Sequence, residues 1–327
     1  MTPLVADSSG NLYGSTYQGG NGNCGNIQLS GCGTIFELSP PSGTNTSWTY
    51  QIVYSFQGVP SGAGNGDGAW PGDMLYTKRG DILGFALSGG TCQSGETGTS
   101  CGGALFILKP VFGGGWTESI VFRFTAPYYP FASPLIDPLG NIYGAGPGGA
   151  YGYGAVFVLE SRHRDGRALV PLYDFHGTTG DGAFPSGLTF YSGIVGTTMG
   201  SPAGSYSNVF QITSNGLEWI ESVLFNFNPI STGYEPASAP ILGSDGQLFG
   251  TTTQGGASNE GAVYRLIPPA IQGGQWTENV LYSFSTGSDG FAPYGGLVFG
   301  NSGYLYGTTS AGGDASCNCG TVFRVNP

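Results

Sequence analysis

The chain has 327 residues, 62 of them glycine, and carries 9 Lys and Arg against 20 Asp and Glu, a net charge of −11. Aromatics at 13% are too plentiful for a disordered acidic chain, and so few cations leave little with which to neutralise a nucleic-acid backbone. No apolar run reaches the roughly 18 residues of a spanning helix, so no membrane span is expected.

The first unit sets a pattern. A short apolar run, Leu4-Val5, is followed by the turn Ser9-Gly10-Asn11 and a strand reaching Tyr13-Gly14. A Gly-rich loop with Cys24 and Cys32 leads to Gly33-Thr34-Ile35-Phe36, and a last run extends from Trp48 to Phe56. The second unit repeats this with Leu83-Gly84, a loop holding Cys92 and Cys101, Phe106, and Trp116 to Phe124. The third has Tyr143-Gly144, Phe157 and Phe175, and the fourth Val195-Gly196, Phe210, Trp219 and Phe227. The fifth has Phe249-Gly250, Tyr264, Trp276 and Phe284. The sixth has Tyr306-Gly307, a loop with Cys317 and Cys319, and Phe323, without the final run.

Each run is short, rich in β-branched and aromatic residues, and bounded by Gly, Pro, Asn and Asp, which predicts strands. No stretch combines helical spacing with capping residues, so helix should be nearly absent. Four antiparallel strands repeated six times predict an all-β fold, a six-bladed β-propeller of four-stranded blades with one blade of three strands. The expected organisation is a single domain over 1–327, closed as a ring, with units near 1–72, 73–134, 135–187, 188–240, 241–296 and 297–327.

Gly303-Tyr304-Leu305-Tyr306-Gly307-Thr308-Thr309-Ser310-Ala311-Gly312-Gly313 followed by Cys319-Gly320-Thr321-Val322-Phe323 carries a family resemblance. So do Asp7-Ser8-Ser9-Gly10-Asn11-Leu12-Tyr13-Gly14 and Asp289-Gly290-Phe291-Ala292-Pro293. These segments resemble the GloVer tandem repeats of large bacterial exported proteins of the choice-of-anchor type. The units with Leu83-Gly84-Phe85-Ala86 and Val195-Gly196 depart most from the pattern. The resemblance implies an exported protein and brings neither a catalytic residue nor a cofactor.

The cysteines form three local pairs, Cys24 with Cys32, Cys92 with Cys101 and Cys317 with Cys319, each in the same loop of its unit. Cys-x-Cys could serve a soft metal, but the loops lack histidine and the other spacings do not suit zinc. Disulfides that close Gly-rich loops fit better, a loop such as Cys24–Cys32 contributing about 2–3 kcal/mol in the chain-entropy model. They place the chain in an oxidising compartment, extracellular or at the cell surface.

In an antiparallel meander alternate connections share an end. The cysteine loops therefore lie with the connections that follow Phe56, Phe124, Phe175, Phe227 and Phe284, and this long-loop face is where ligand groups are expected. The connections hold Asp67-Gly68-Ala69-Trp70-Pro71, Tyr128-Tyr129-Pro130, Asp181-Gly182-Ala183-Phe184-Pro185, Tyr234-Glu235-Pro236 and Asp289-Gly290-Phe291-Ala292-Pro293. Asp-Gly and Pro are ordinary turn chemistry. Aromatic faces beside carboxylates also suit sugar rings, which makes Asp67, Trp70, Tyr128, Asp181, Phe184, Glu235, Asp289 and Phe291 the candidate ligand residues. Asp67, Asp181 and Asp289, in alternate units, could instead perform acid–base chemistry. His176, close to Asp174, lacks an identifiable nucleophile, and Glu118, Glu221 and Glu278 read as solvated strand surface.

The expected function is binding of an extracellular polysaccharide or surface glycan on the long-loop face. Two alternatives stand beside it: a polysaccharide hydrolase or lyase using funnel carboxylates, and a structural surface or matrix protein that self-associates. No metal and no cofactor is expected.

Overall fold

The computed structural model describes residues 4–22, 24, 31–43, 46–58, 66–89, 102–162, 166–178, 180–200, 207–228, 232–271 and 273–327. Six antiparallel sheets follow one another along the chain, five of four strands and the last of three. In each, strands a to d are hydrogen-bonded neighbours in chain order. Blade 4 shows the full set: Pro185–Phe190 (a), Ile194–Thr198 (b), Asn208–Ser214 (c) and Trp219–Asn226 (d). Blade 6 has Val298–Phe299 (a), Leu305–Thr308 (b) and Val322–Val325 (c). The architecture is the six-bladed β-propeller that the repeats predict, with the last blade three-stranded. The only helical segment among the described residues is a three-residue 3-10 turn, Gly287–Asp289. None of their helices is long and apolar enough to cross a membrane.

The chain divides into two compact units. One comprises Thr2–Gly149 with Val158–Val170, the other Met1, Ala150–Phe157 and Pro171–Pro327.

Three sequence landmarks form one packing device. The glycine of strand b pairs across the ladder with the aromatic of strand c: Gly14 with Phe36, Gly84 with Phe106, Gly196 with Phe210, Gly250 with Tyr264, and Gly307 with Phe323. The ring lies over the glycine so closely that a Cβ on Gly196 would sit 2.3 Å from Phe210 Cζ, and one on Gly84 2.5 Å from Phe106 Cζ. Any side chain would drive the ring out, which is why an apolar residue followed by Gly marks every b strand. The phenylalanine that ends strand d then packs edge-on against the next blade's c-strand aromatic. Phe56–Phe106, Phe175–Phe210, Phe227–Tyr264 and Phe284–Phe323 have ring centroids 5.1, 5.1, 5.0 and 4.9 Å apart. Such pairs add about 0.5–1.5 kcal/mol beyond their burial. Phe56, Phe106, Phe175 and Phe210 are completely buried.

In blades 1 and 3 the tight a–b turn is held by aspartate. Asp7 accepts the backbone N–H groups of Ser9 and Asn11, the Asn11 side-chain amide and the Tyr13 hydroxyl. Asp137 does the same with Leu139, Asn141 and Tyr143. These bonds hold both carboxyls below the usual range in spite of partial burial. Disulfides join Cys24 to Cys32 and Cys317 to Cys319. The Cys92–Cys101 pairing lies outside the described residues.

Candidate functional site

Strand order places each blade's b–c loop at the same end of its sheet as the connection leaving strand d. These connections share an unusual backbone. Trp70, Phe184, Glu235 and Ala292 each precede a proline and each adopt a left-handed conformation, with φ of 57, 56, 59 and 51°. For L-residues this costs roughly 1–2 kcal/mol. Hydrogen bonds across the blade boundary offset the cost. The N–H groups of Trp70, Phe184 and Ala292 donate to the carbonyls of Cys32, Tyr153 and Glu260, and that of Glu235 donates to Ser207 Oγ, all in the preceding blade. The carbonyls of Phe184, Glu235 and Ala292 accept from Met199, Thr253 and Ser310 of their own blade. One residue thus stitches two blades through its backbone alone.

The three aspartates are occupied by their own loops. Asp67 accepts the Tyr54 hydroxyl at 2.7 Å and the backbone N–H groups of Gln57 and Gly58. Asp181 accepts the Tyr173 hydroxyl and the His176 N–H, both at 2.5 Å. Asp289 accepts the Tyr282 hydroxyl at 2.7 Å together with the Ser285 N–H and hydroxyl. In blades 2 and 4 the strand-d residue corresponding to these tyrosines is Phe122 or Phe225, and the following connection has no Asp-Gly. Tyrosine and aspartate therefore occur together or not at all.

The aromatic candidates divide between the two units. In the first, Trp70 stacks on Tyr17 of the cysteine loop, with centroids 5.3 Å apart and planes 12° from parallel, and Tyr17 remains 48% exposed. Tyr128 forms an isolated bridge with Gly148. In the second, Tyr151 is exposed and stacks on His176 at 4.2 Å. His176 Nδ1 lies 3.8 Å from Asp181, while the nearer residue in sequence, Asp174, accepts the Ala150 N–H. Glu235 accepts from Gln254, which in turn accepts the Tyr234 hydroxyl. Phe184 is half-buried, and Phe291 bridges to Ala311. Neither Tyr17 nor Tyr151 stands out in the sequence, because each is brought to its partner only by the course of its loop.

Glu118, Glu221 and Glu278 overturn the expectation of solvated surface. All three are half-buried, each with Oε1 unpaired among the described residues. Burial pushes Glu118 up to about 7 and Glu221 to about 8, reinforced by the charges of Asp67 and Asp181 respectively, and burial alone takes Glu278 to about 8. A fourth acid, Asp73, lies in strand a of blade 2 and accepts the Ser133 hydroxyl at 2.5 Å. Burial raises its carboxyl in spite of that bond. In register the corresponding residues of blades 3 to 6 are Ser133, Gly187, Ala239 and Gly296, so alignment of the repeats would have singled it out.

The chain resembles solved structures over almost its whole length. A putative oxidoreductase (glucose dehydrogenase) from Thermus thermophilus is 14% identical with a TM-score of 0.57, over 98% of this chain and 95% of that one. The PQQ-bound aldose sugar dehydrogenase of Streptomyces coelicolor is 11% identical with a TM-score of 0.57, over 99% and 92%. At such identities the likeness shows the shared fold alone. No curated protein matches the chain. The resemblance carried by the repeat residues is borne out: over residues 191–327 the chain matches the Gloeobacter/Verrucomicrobia repeat.

Proposed function

We propose that this propeller works outside the cell and binds carbohydrate at the long-loop ends of its blades. The observation that carries this reading is the Tyr17–Trp70 stack, a flat and partly exposed aromatic surface fixed by the left-handed backbone at Trp70. Aromatic faces of this kind pack against the C–H surfaces of sugar rings. The Tyr151–His176 stack offers a second such surface. Sharing a fold with two proteins described as sugar dehydrogenases puts a sugar within the range of ligands this architecture holds. The two disulfides support an oxidising compartment. Acid–base catalysis by Asp67, Asp181 and Asp289 draws no support from the geometry, since all three already brace their loops.

Titration with a panel of soluble plant and bacterial polysaccharides, followed by tryptophan fluorescence and calorimetry, tests the reading. Saturable binding to at least one glycan is expected, weakened about ten-fold or more, or by 1.4 kcal/mol, in the Tyr17→Ala/Trp70→Gly double variant. Glycine at position 70 keeps the left-handed backbone while removing the ring. Binding that is absent throughout, or unchanged in the double variant, overturns the proposal.

A further inference from the structure

Blade 2 comprises Ala69–Tyr76 (a), Ile82–Ser88 (b), Ala104–Pro110 (c) and Trp116–Arg123 (d). Blade 3 comprises Leu135–Ile136 (a), Ile142–Gly146 (b), Ala155–Arg162 (c) and Gly166–Asp174 (d). Asp73 bonds to its own counterpart Ser133, so the two strands a stand side by side. The a–b and c–d turns of both blades therefore share one end, opposite the long loops. Two apolar side chains project from it. Phe112, in the c–d turn of blade 2, is 106% exposed, and Leu139, at the a–b tip of blade 3, is 82% exposed. A Cβ on the neighbouring Gly113, Gly114, Gly115 or Gly140 would meet nothing within 4 Å, so both turns stand clear of the blades. They are nonetheless well braced. The Val111 N–H donates to the Gly115 carbonyl and the Gly114 N–H to that of Val111. The Leu139 N–H donates to Asp137, and the Arg167 guanidinium donates to the carbonyls of Gly140 and Leu159. In register the residues corresponding to Leu139 in blades 1, 2, 5 and 6 are Ser9, Arg79, Asp245 and Ser302. Those are polar, as suits an exposed tip, whereas leucine serves neither the turn nor the core.

The charge around these tips is the reverse of the chain's. Lys78 and Arg79 of the a–b turn and Lys109 beside the c–d turn of blade 2 are all exposed. In sequence, six of the nine Lys and Arg fall within 77–81, 109–115, 137–141 and 162–167, against three acids, Asp81, Asp137 and Asp165, although the net charge is −11. From this we infer that the turn end of blades 2 and 3 docks on an anionic lipid surface. Phe112 and Leu139 enter the boundary between headgroups and acyl chains, while Lys78, Arg79 and Lys109 meet the lipid phosphates. Cations alone would suit any polyanion, but projecting apolar tips set among them are the chemistry of a protein that lies on a bilayer. At physiological ionic strength a charge reaches only about 8 Å, so the local cations decide the contact and the acids elsewhere do not. Leu217 and Ile271 in the other unit are exposed too, at 97% and 75%. Their turns, 214–219 and 267–276, contain no Lys or Arg, and Glu218 adjoins Leu217. Docking by the turn end of blades 2 and 3 leaves the Tyr17–Trp70 stack, at the long-loop end of the same unit, directed away from the lipid.

The test is co-sedimentation of the intact chain with vesicles of equimolar phosphatidylglycerol and phosphatidylcholine, beside vesicles of phosphatidylcholine alone. Saturable binding to the anionic vesicles is expected, at least about ten-fold weaker on phosphatidylcholine. A loss of about ten-fold or more is expected in Phe112→Ser/Leu139→Ser, and again in Lys78→Gln/Arg79→Gln/Lys109→Gln. Phe112→Trp, which keeps an apolar ring at the tip, should retain binding. Because the five side chains are exposed, both multiple variants should leave the circular dichroism spectrum and melting temperature unchanged, so that lost binding reports the surface rather than the fold. No sedimentation up to about 1 mM lipid, or equal binding by Phe112→Ser/Leu139→Ser, overturns the inference. Binding to soluble alginate or polyglutamate as tight as to the vesicles, dependent on the cations but not on Phe112 and Leu139, also overturns it, since the occupant would then be an acidic polymer.

Discussion

At the scale of single residues, what matters most is whether a buried polar atom has a partner. Tyr264 is the only tyrosine among the six c-strand aromatics and is completely buried, with its hydroxyl unpaired among the described residues. Phenylalanine fills the same register elsewhere, so Tyr264→Phe removes an uncompensated hydroxyl without loss of shape. An unpaired buried group costs about 1–3 kcal/mol, and the variant should be more stable by about 1 kcal/mol in urea unfolding. A loss of stability would show that the hydroxyl is bonded after all. The Tyr54–Asp67, Tyr173–Asp181 and Tyr282–Asp289 bonds teach the converse. Here the sequence carries the information without any structure. Once the repeats are aligned, tyrosine two residues before the strand-ending phenylalanine accompanies Asp-Gly in the next connection, and Phe122 and Phe225 do not. Read without that alignment, the same aspartates look like free carboxylates awaiting a ligand.

At the scale of the strand pair, the Gly–aromatic contact makes the blade. Gly196 lies beneath Phe210, and a methyl group there would meet the ring at 2.3 Å and the Gly187 carbonyl at 2.8 Å. Overpacking of this kind costs typically 1–3 kcal/mol, and more where the neighbours cannot give. Gly196→Ala should therefore lose at least about 2 kcal/mol in chemical denaturation. Much of that loss should be recovered by adding Phe210→Leu, which shortens the side chain above it. If the double variant is as unstable as the sum of the two single ones, the ring is not what the glycine accommodates. This contact is also why the blade count was legible: apolar-Gly and the c-strand aromatic are partners in one cross-strand pair and must recur together. The three-stranded final blade was legible for the same reason, through the absent run after Phe323. The burial of Glu118, Glu221 and Glu278 was not, because alternation within a strand says which face a residue takes and nothing about whether the adjoining blade covers that face.

At the scale of the whole molecule, those glutamates govern the response to pH. Their folded-state pKa values, about 7, 8 and 8, lie above the ordinary 4.5, so the native chain keeps protons that the unfolded chain gives up. Unfolding releases protons throughout that interval, and stability falls as pH rises from about 4.5 to about 8. Asp7, Asp137 and Asp289, held below 3.8, act in the opposite sense only in more acidic solution, where protonation removes their contribution. The melting temperature should therefore peak near pH 5 and decline toward pH 8.5. The Glu118→Gln/Glu221→Gln/Glu278→Gln variant should show a visibly flatter decline in calorimetric scans. A wild-type melting temperature that is level or rising over that range would contradict the burial of these carboxyls. The net charge of −11 reinforces the decline, since mutual repulsion grows as the remaining acids ionise.

The four left-handed stitches have a bearing on how such a protein could be re-engineered. Trp70, Phe184, Glu235 and Ala292 reach the preceding blade through N–H groups that every residue but proline possesses, and the last three hold their own blade through their carbonyls. Natural variation at these places already runs from indole to methyl. A combinatorial library randomised at these four codons would alter the chemistry displayed beside each loop while leaving the seams intact. Asparagine and glycine, the residues that tolerate this backbone best, should be enriched among the most thermostable clones.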